Sequence, residues 1–197
     1  MSNRLLTETE AKELLAPFLN DFREAVEQGW NAWTSNPARM TASKRTRASL
    51  IHDEITNQLE RAFDNHDRVR VKRRDNSLHV SVDGLTIIRV KKLHRRGLGT
   101  SGILTNARIN FLAQLGDLAG TPITNLVLGY RLDELEVGIK QIYLTCPLGR
   151  SNLWVIDLTE APAATVSLFD VEEPTDQATI IRSATVPAEG TKNATEE

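Results

Sequence analysis

The chain has 197 residues, of which 40% are hydrophobic and 25% charged, with a formal net charge of −2. That length and composition suit one globular domain with a tail and exclude a disordered, fibrous or disulfide-stapled chain. No apolar run approaches a transmembrane span, and "MSNRLLTETEAKELL" lacks the basic, apolar and small-residue parts of a secretory signal. A cytoplasmic protein with no membrane partner is the expectation. The single Cys146 has no second cysteine for a disulfide or a metal knuckle, and its flanks "YLTCPLG" read as a strand end holding a buried, inert thiol.

The net charge conceals a division. From Thr41 to Gly97 there are 14 Lys/Arg against 7 Asp/Glu, a local charge of +7, while the remainder of the chain carries −9. His52, His66, His79 and His94 all fall in the basic section. Such asymmetry concerns partners rather than fold.

In chain order, Thr7 and Glu10 form a capping-box pattern that opens a long helix. Leu14, Leu15, Phe18, Leu19, Phe22, Val26, Trp30 and Trp33 continue it at helical spacing. Pro17 falls inside that pattern and should kink it or delay its true start. Ser43 can cap a second helix with the stripe Leu50, Ile51, Ile55, Leu59 and Phe63, so residues 7–65 form a helical hairpin. Three strands follow. A two-residue turn at Asp75-Asn76 pairs Arg74 with Ser77, Lys72 with His79 and Arg70 with Ser81 on one face. A second turn at Asp83-Gly84 predicts that Leu85, Ile87, Arg89 and Lys91 share the opposite, apolar face with Val82, Val80 and Leu78. On that reading Arg73, Arg89 and Lys91 form a cationic rim beside Asp75.

"HRRGLGTSG" reads as a flexible loop, and Thr105 can cap a short helix carrying Ile109, Phe111, Leu112 and Leu115. "TNLVLGYRL", "GIKQIYLTC" and "NLWVIDL" predict a strand meander. The expected fold is α+β: two N-terminal helices packed on a mostly antiparallel sheet of about six strands interrupted by one short helix. Residues 1–158 make the domain, with the sheet over 68–158. Residues 159–197 make an acidic tail expected to be disordered, with one short docked piece near Val166 to Phe169.

The chemical signals are uneven. "RRDNSLHVSVDGLTIIRVKKL" is similar in outline to the core of PD-(D/E)xK nucleases, which use Mg²⁺ to orient a water for phosphodiester attack. Asp75 would match the Asp and Lys91 the Lys, with Glu60 a supplementary carboxylate. The Glu position, however, holds Arg89, which repels the ion it should bind. His52-Asp53 raises general acid–base work, although a helix-flank histidine is the plainer reading. No His-x3-His or Cys-x2-Cys spacing points to zinc, and "GLGTSG" lacks the lysine of a phosphate-binding loop. The cations remain. Lys44, Arg45 and Arg47 open a helix against its macrodipole. Together with Arg70, Lys72, Arg74, Lys92, Arg95 and Arg96 they can make one basic surface for a nucleic-acid backbone. The alternative is a solvated face whose charges meet the acidic tail or a protein. Aromatics are sparse there, so base stacking gains little support.

"RTRASLIHDEI", "IRVKKL", "TNARINFLAQL", "TNLVLGYRLDE" and "CPLGRSNLWVIDL" come in the order seen in a family of uncharacterised bacterial proteins, which the chain resembles from Arg45 to Leu158. Members are found in phages, plasmids and genomic islands. They are often encoded beside a regulator that joins a helix-turn-helix to an ImmA/IrrE-type domain. The family's Arg-x-Lys-Lys-Leu block is usually followed by "NIPT" and a Gln-containing helix; here "GTSGILTNA" replaces "NIPT" and Gln114 takes the Gln position. The resemblance implies a mobile-element or toxin–antitoxin-like role with a DNA-binding regulator as partner, and the family offers no established catalytic residues to carry over. Sequence reasoning therefore ends at a non-catalytic interaction protein without a cofactor. It contacts a regulator or DNA or RNA backbone through a basic hairpin that includes Arg89 and Lys91. A degenerate, Mg²⁺-dependent nuclease acting as toxin or defence effector is the alternative.

Overall fold

The computed structural model describes residues 4–74, 77–94, 98–100, 102–103, 105–115 and 123–160. Asp75, Asn76, Arg95, Arg96 and everything after residue 160, including the expected docked piece, lie outside the described residues.

Thr7 caps α1 (Glu8–Leu15) through a complete capping box with Glu10. Pro17 then imposes a 3-10 turn over Ala16–Phe18 before α2 (Leu19–Thr34), so the predicted long helix is broken where its proline stands. Ser43 accepts from the Thr46 N–H and starts α3 (Lys44–Ala62). The helices α2 and α3 approach closely at Gly29, where an added Cβ would stand 2.7 Å from the Ile55 backbone.

The strands are β1 (Val69–Arg74), β2 (Ser77–Val82), β3 (Thr86–Lys92), β4 (Thr124–Leu132), β5 (Ile139–Leu148) and β6 (Ser151–Asp157). They form one six-stranded sheet in sequence order. Every neighbouring pair is antiparallel except β3 and β4, which run parallel at the centre. That pair needs a crossover, and the crossover carries α4 (Asn106–Leu112), capped by Thr105 as expected. The architecture is the α+β arrangement read from the sequence.

The two faces of the sheet have different covers. Helices α1 to α3 bury Phe18, Phe22, Trp30, Ile55 and Leu59 against Val80, Ile88, Leu128 and Leu144. On the outer face α4 contributes Phe111 to a smaller cluster with Leu93, Val127 and Tyr143. Strand β4 is buried on both faces for this reason, which explains its nearly unbroken apolar run. Leu6, just ahead of α1, is tied to the sheet too: its N–H donates to Thr124 Oγ1 at 3.0 Å, and Trp154 Nε1 donates to its carbonyl at 2.9 Å.

The β1–β2 register is the one the sequence predicts, from Val69 opposite Val82 to Arg74 opposite Ser77. The β2–β3 register is not. Asp83 and Gly84 both take positive φ, as a tight turn demands. Leu85 donates its N–H to the Val82 carbonyl at 3.0 Å and so closes that turn, but it is not Val82's partner in the ladder. It lies outside the strand, half-exposed, and gives its carbonyl to the Thr124 N–H at 2.9 Å. The fully buried Thr86 instead faces Val82 and accepts from its N–H at 3.3 Å. Val80 consequently sits opposite Ile88. One added residue inverts every side chain of a strand, so Ile88 and Val90 enter the helix-covered core while Ile87, Arg89 and Lys91 point outward. The expected apolar-face rim of Arg73, Arg89 and Lys91 is thereby corrected: Arg73 stays on the covered side, and the other two join Arg70, Lys72 and Arg74.

Candidate functional site

Because β1, β2 and β3 are adjacent, their outward side chains fall into rows. Lys72 stands opposite His79, which precedes Arg89 in the next strand; Arg74 stands opposite Ser77, followed by Lys91. Arg70, Lys72 and Arg74 are exposed, whereas Arg89 and Lys91 are half-buried. The second row of this surface sinks into a groove of about 420 Å³ between the sheet and α4. Arg74, His79, Arg89, Lys91 and Arg108 line it, and no Asp or Glu is among the described residues that do so.

Arg108 was not singled out in the sequence. It sits three residues after the Thr105 cap, on the same helix flank as Phe111 and Leu112, which dock α4 on the sheet. Its guanidinium donates to the carbonyls of Gly102 and Thr100 and to Thr100 Oγ1, the last at 3.0 Å. These neutral acceptors fix its direction without cancelling its charge. The "GLGTSG" loop is thus partly structural: its described residues hold an arginine over the groove. Across from it, the Arg89 guanidinium lies over the Phe111 ring at 4.2 Å. Burial, then the charges of Arg89 and Arg108, hold the Lys91 ammonium below its usual range. Like charges held this close to Lys91 disfavour its charged form, and an anion bound beside it would favour that form.

The other cations are arranged differently. Glu136, in the β4–β5 connection, accepts from Lys92 at 2.7 Å and is also paired with Arg47. Those hydrogen bonds, Lys92 first, hold its carboxyl below the ordinary range despite some burial. Lys44 lines the same small cleft of about 100 Å³, and Arg45 is exposed on the first turn of α3. These four residues are on the helix-covered side, so they do not merge with the Lys72 surface into one patch. Arg95 and Arg96 lie outside the described residues.

Two of the three nuclease candidates, Glu60 and Lys91, fall on different sides of the sheet. Glu60 accepts from Arg73 at 2.7 and 2.8 Å on the helix-covered side, while Lys91 lines the groove on the outer face. Asp75 lies outside the described residues. Among the described residues no three His, Cys, Asp or Glu side chains group as a metal site. His52 is held below its usual pKa by burial first, then by Lys91 and Arg73, with Asp53 opposing. Cys146 is fully buried, and burial pushes its thiol up to about 12, which leaves it protonated and unreactive.

No protein-family model, curated protein or solved structure matches the chain.

Proposed function

We propose that this protein is a non-catalytic interaction protein that grips the phosphate backbone of a nucleic acid with the outer face of β1–β3. The observation that carries the reading is the shared face of Arg70, Lys72, Arg74, Arg89 and Lys91, created by strand alternation and the Leu85 bulge. A chain of net charge −2 has no need of such a concentration for solubility. Phosphate oxygens match guanidinium and ammonium donors in charge and geometry. The resemblance to mobile-element proteins adds a helix-turn-helix regulator as a second partner, and the lone Cys146 favours a reducing, cytoplasmic setting. Metal-dependent cleavage is not favoured, because Glu60 and Lys91 belong to opposite faces of the sheet.

The test is equilibrium binding of labelled duplex and single-stranded oligonucleotides of mixed sequence between 50 and 200 mM salt. Backbone contact through about four to five cations predicts affinity falling by roughly a hundredfold over that range, because each neutralised phosphate releases a counterion. The double reversal Lys72→Glu with Arg74→Glu should abolish binding at the upper end of the series. Absence of binding at low salt, or binding indifferent to salt, sinks the proposal and leaves co-purification with a regulator protein as the remaining route to a partner.

A further inference from the structure

The groove beside this face has a shape and charge that a continuous backbone does not use. It is walled by α4 and by Thr100, Gly102, Ile103 and Thr105, and its volume of about 420 Å³ falls in the usual range of a small-ligand site. Lys91 forms part of its floor and Arg108 overhangs it from α4, tethered by loop carbonyls rather than by a carboxylate. Arg89 also lines it from the sheet, braced over Phe111.

An internal phosphodiester carries one negative charge and has two of its oxygens blocked by ester bonds. A phosphomonoester carries a charge of about −1.5 to −2 at neutral pH and offers three free acceptor oxygens. Three cationic groups converging from two sides on one small volume match the second chemistry better than the first. Ile103, 86% exposed at the rim, and the apolar wall of Leu112 and Val127 would meet the sugar and base that follow such a phosphate. A free end is also the only part of a strand that can enter a walled groove without bending the chain on both sides.

We infer that the groove between β3 and α4 binds the terminal phosphomonoester of a nucleic-acid strand, with Lys91 and Arg108 as its principal contacts and Arg89 supporting them. The exposed Arg70 and Lys72 then track the following phosphates. This inference rests on the backbone-binding reading and adds an end preference to it.

Fluorescence anisotropy separates the two. One labelled single strand is prepared with a 5′-phosphate, with a 3′-phosphate and with hydroxyls at both ends, and all three are measured at the same salt. The expected result is binding about tenfold tighter to one of the phosphorylated strands, the worth of one added charge-assisted hydrogen bond. Arg108→Gln should erase that difference while the hydroxyl-ended strand binds nearly as before, because Arg108 is not among the cations of the backbone-gripping face. Lys91→Gln should erase the difference too and also weaken all three strands, with circular dichroism confirming that each variant is folded. Equal affinity of the three strands for the unmodified protein overturns the end preference and leaves backbone binding standing. Failure of all three to bind overturns both. Adenosine monophosphate binding as tightly as the phosphorylated strand overturns the assignment to strand ends.

Discussion

Gln114 is only 6% exposed, yet every part of its carboxamide is used. Nε2 donates to the carbonyls of Asn125 at 2.8 Å and Pro147 at 2.7 Å, and Oε1 accepts from the Asn125 N–H at 2.8 Å. One side chain thereby joins the end of the α4 segment to two strands. Gln114→Ala leaves buried backbone groups without partners and should cost about 2 kcal/mol or more, read as a lower urea midpoint at unchanged slope. Gln114→Glu should cost more, since it sets an acceptor against two carbonyls. A partly buried histidine predicts pH dependence. The His52 pKa is lowered in the folded state by burial and by Lys91 and Arg73, with Asp53 the one opposing charge. The unfolded chain therefore binds more protons in the window below about pH 6.5, and stability falls as pH drops through it. His52→Gln should flatten that decline when urea midpoints are compared at pH 5, 6 and 7.5. A slope unchanged by the substitution would assign the acid sensitivity to other groups.

The elements were legible to different depths, and the reasons are physical. Helix starts announced themselves because Thr7, Ser43 and Thr105 each satisfy orphan N–H groups. Pro17 announced the break for the converse reason. The first hairpin's register followed from alternation alone. The second did not, because the turn residues behave as expected while Leu85 is drawn outward by a hydrogen bond to β4, a partner 39 positions along the chain. No local pattern encodes that contact, and it decides where Arg89 and Lys91 point. Arg70, Lys72 and Arg74 were thus readable, while Arg89 and Lys91 were assigned to the wrong face. Arg108 was missed because its role depends on how a seven-residue helix docks. The close approach of α2 and α3 was equally silent, since Gly29 resembles any helix glycine. An added methyl there meets Ile55 Cγ1 at 2.6 Å and Ile55 backbone at 2.7 Å. Alanine's propensity gain of about 1 kcal/mol is opposed by overpacking against a backbone that cannot turn aside, typically 1–3 kcal/mol. Gly29→Ala should therefore lower the thermal midpoint, whereas a rise would mean that the helices separate at little cost.

Among the described residues the sheet separates a helix-covered side, where Arg73 pairs with Glu60 and Lys92 with Glu136, from an outer side that carries Arg70, Lys72, Arg74, Arg89 and Lys91. Arg73 and Lys72 are consecutive residues on opposite sides of that division. Arg73 donates to both carboxylate oxygens of Glu60 and to Asn57 Oδ1 at 3.1 Å, linking β1 to α3. Lys72 is exposed opposite His79, on the outer face. The same change at the two positions should have opposite consequences. Arg73→Glu places like charges together between β1 and α3 and should reduce stability. The loss should be no more than about 1 kcal/mol, because both side chains are largely in solvent. Its effect on nucleic-acid affinity should be small, since the side chain does not face the groove. Lys72→Glu should leave the urea midpoint within about 0.5 kcal/mol of the unmodified protein, as surface substitutions do. It should nonetheless weaken oligonucleotide binding severalfold at 100 mM salt, because one backbone contact becomes a repulsion. Measuring midpoint and affinity for both variants tests the division itself. If both weaken binding equally, long-range net charge rather than the outer face governs association; if neither does, the cations gathered there serve some purpose other than holding phosphate.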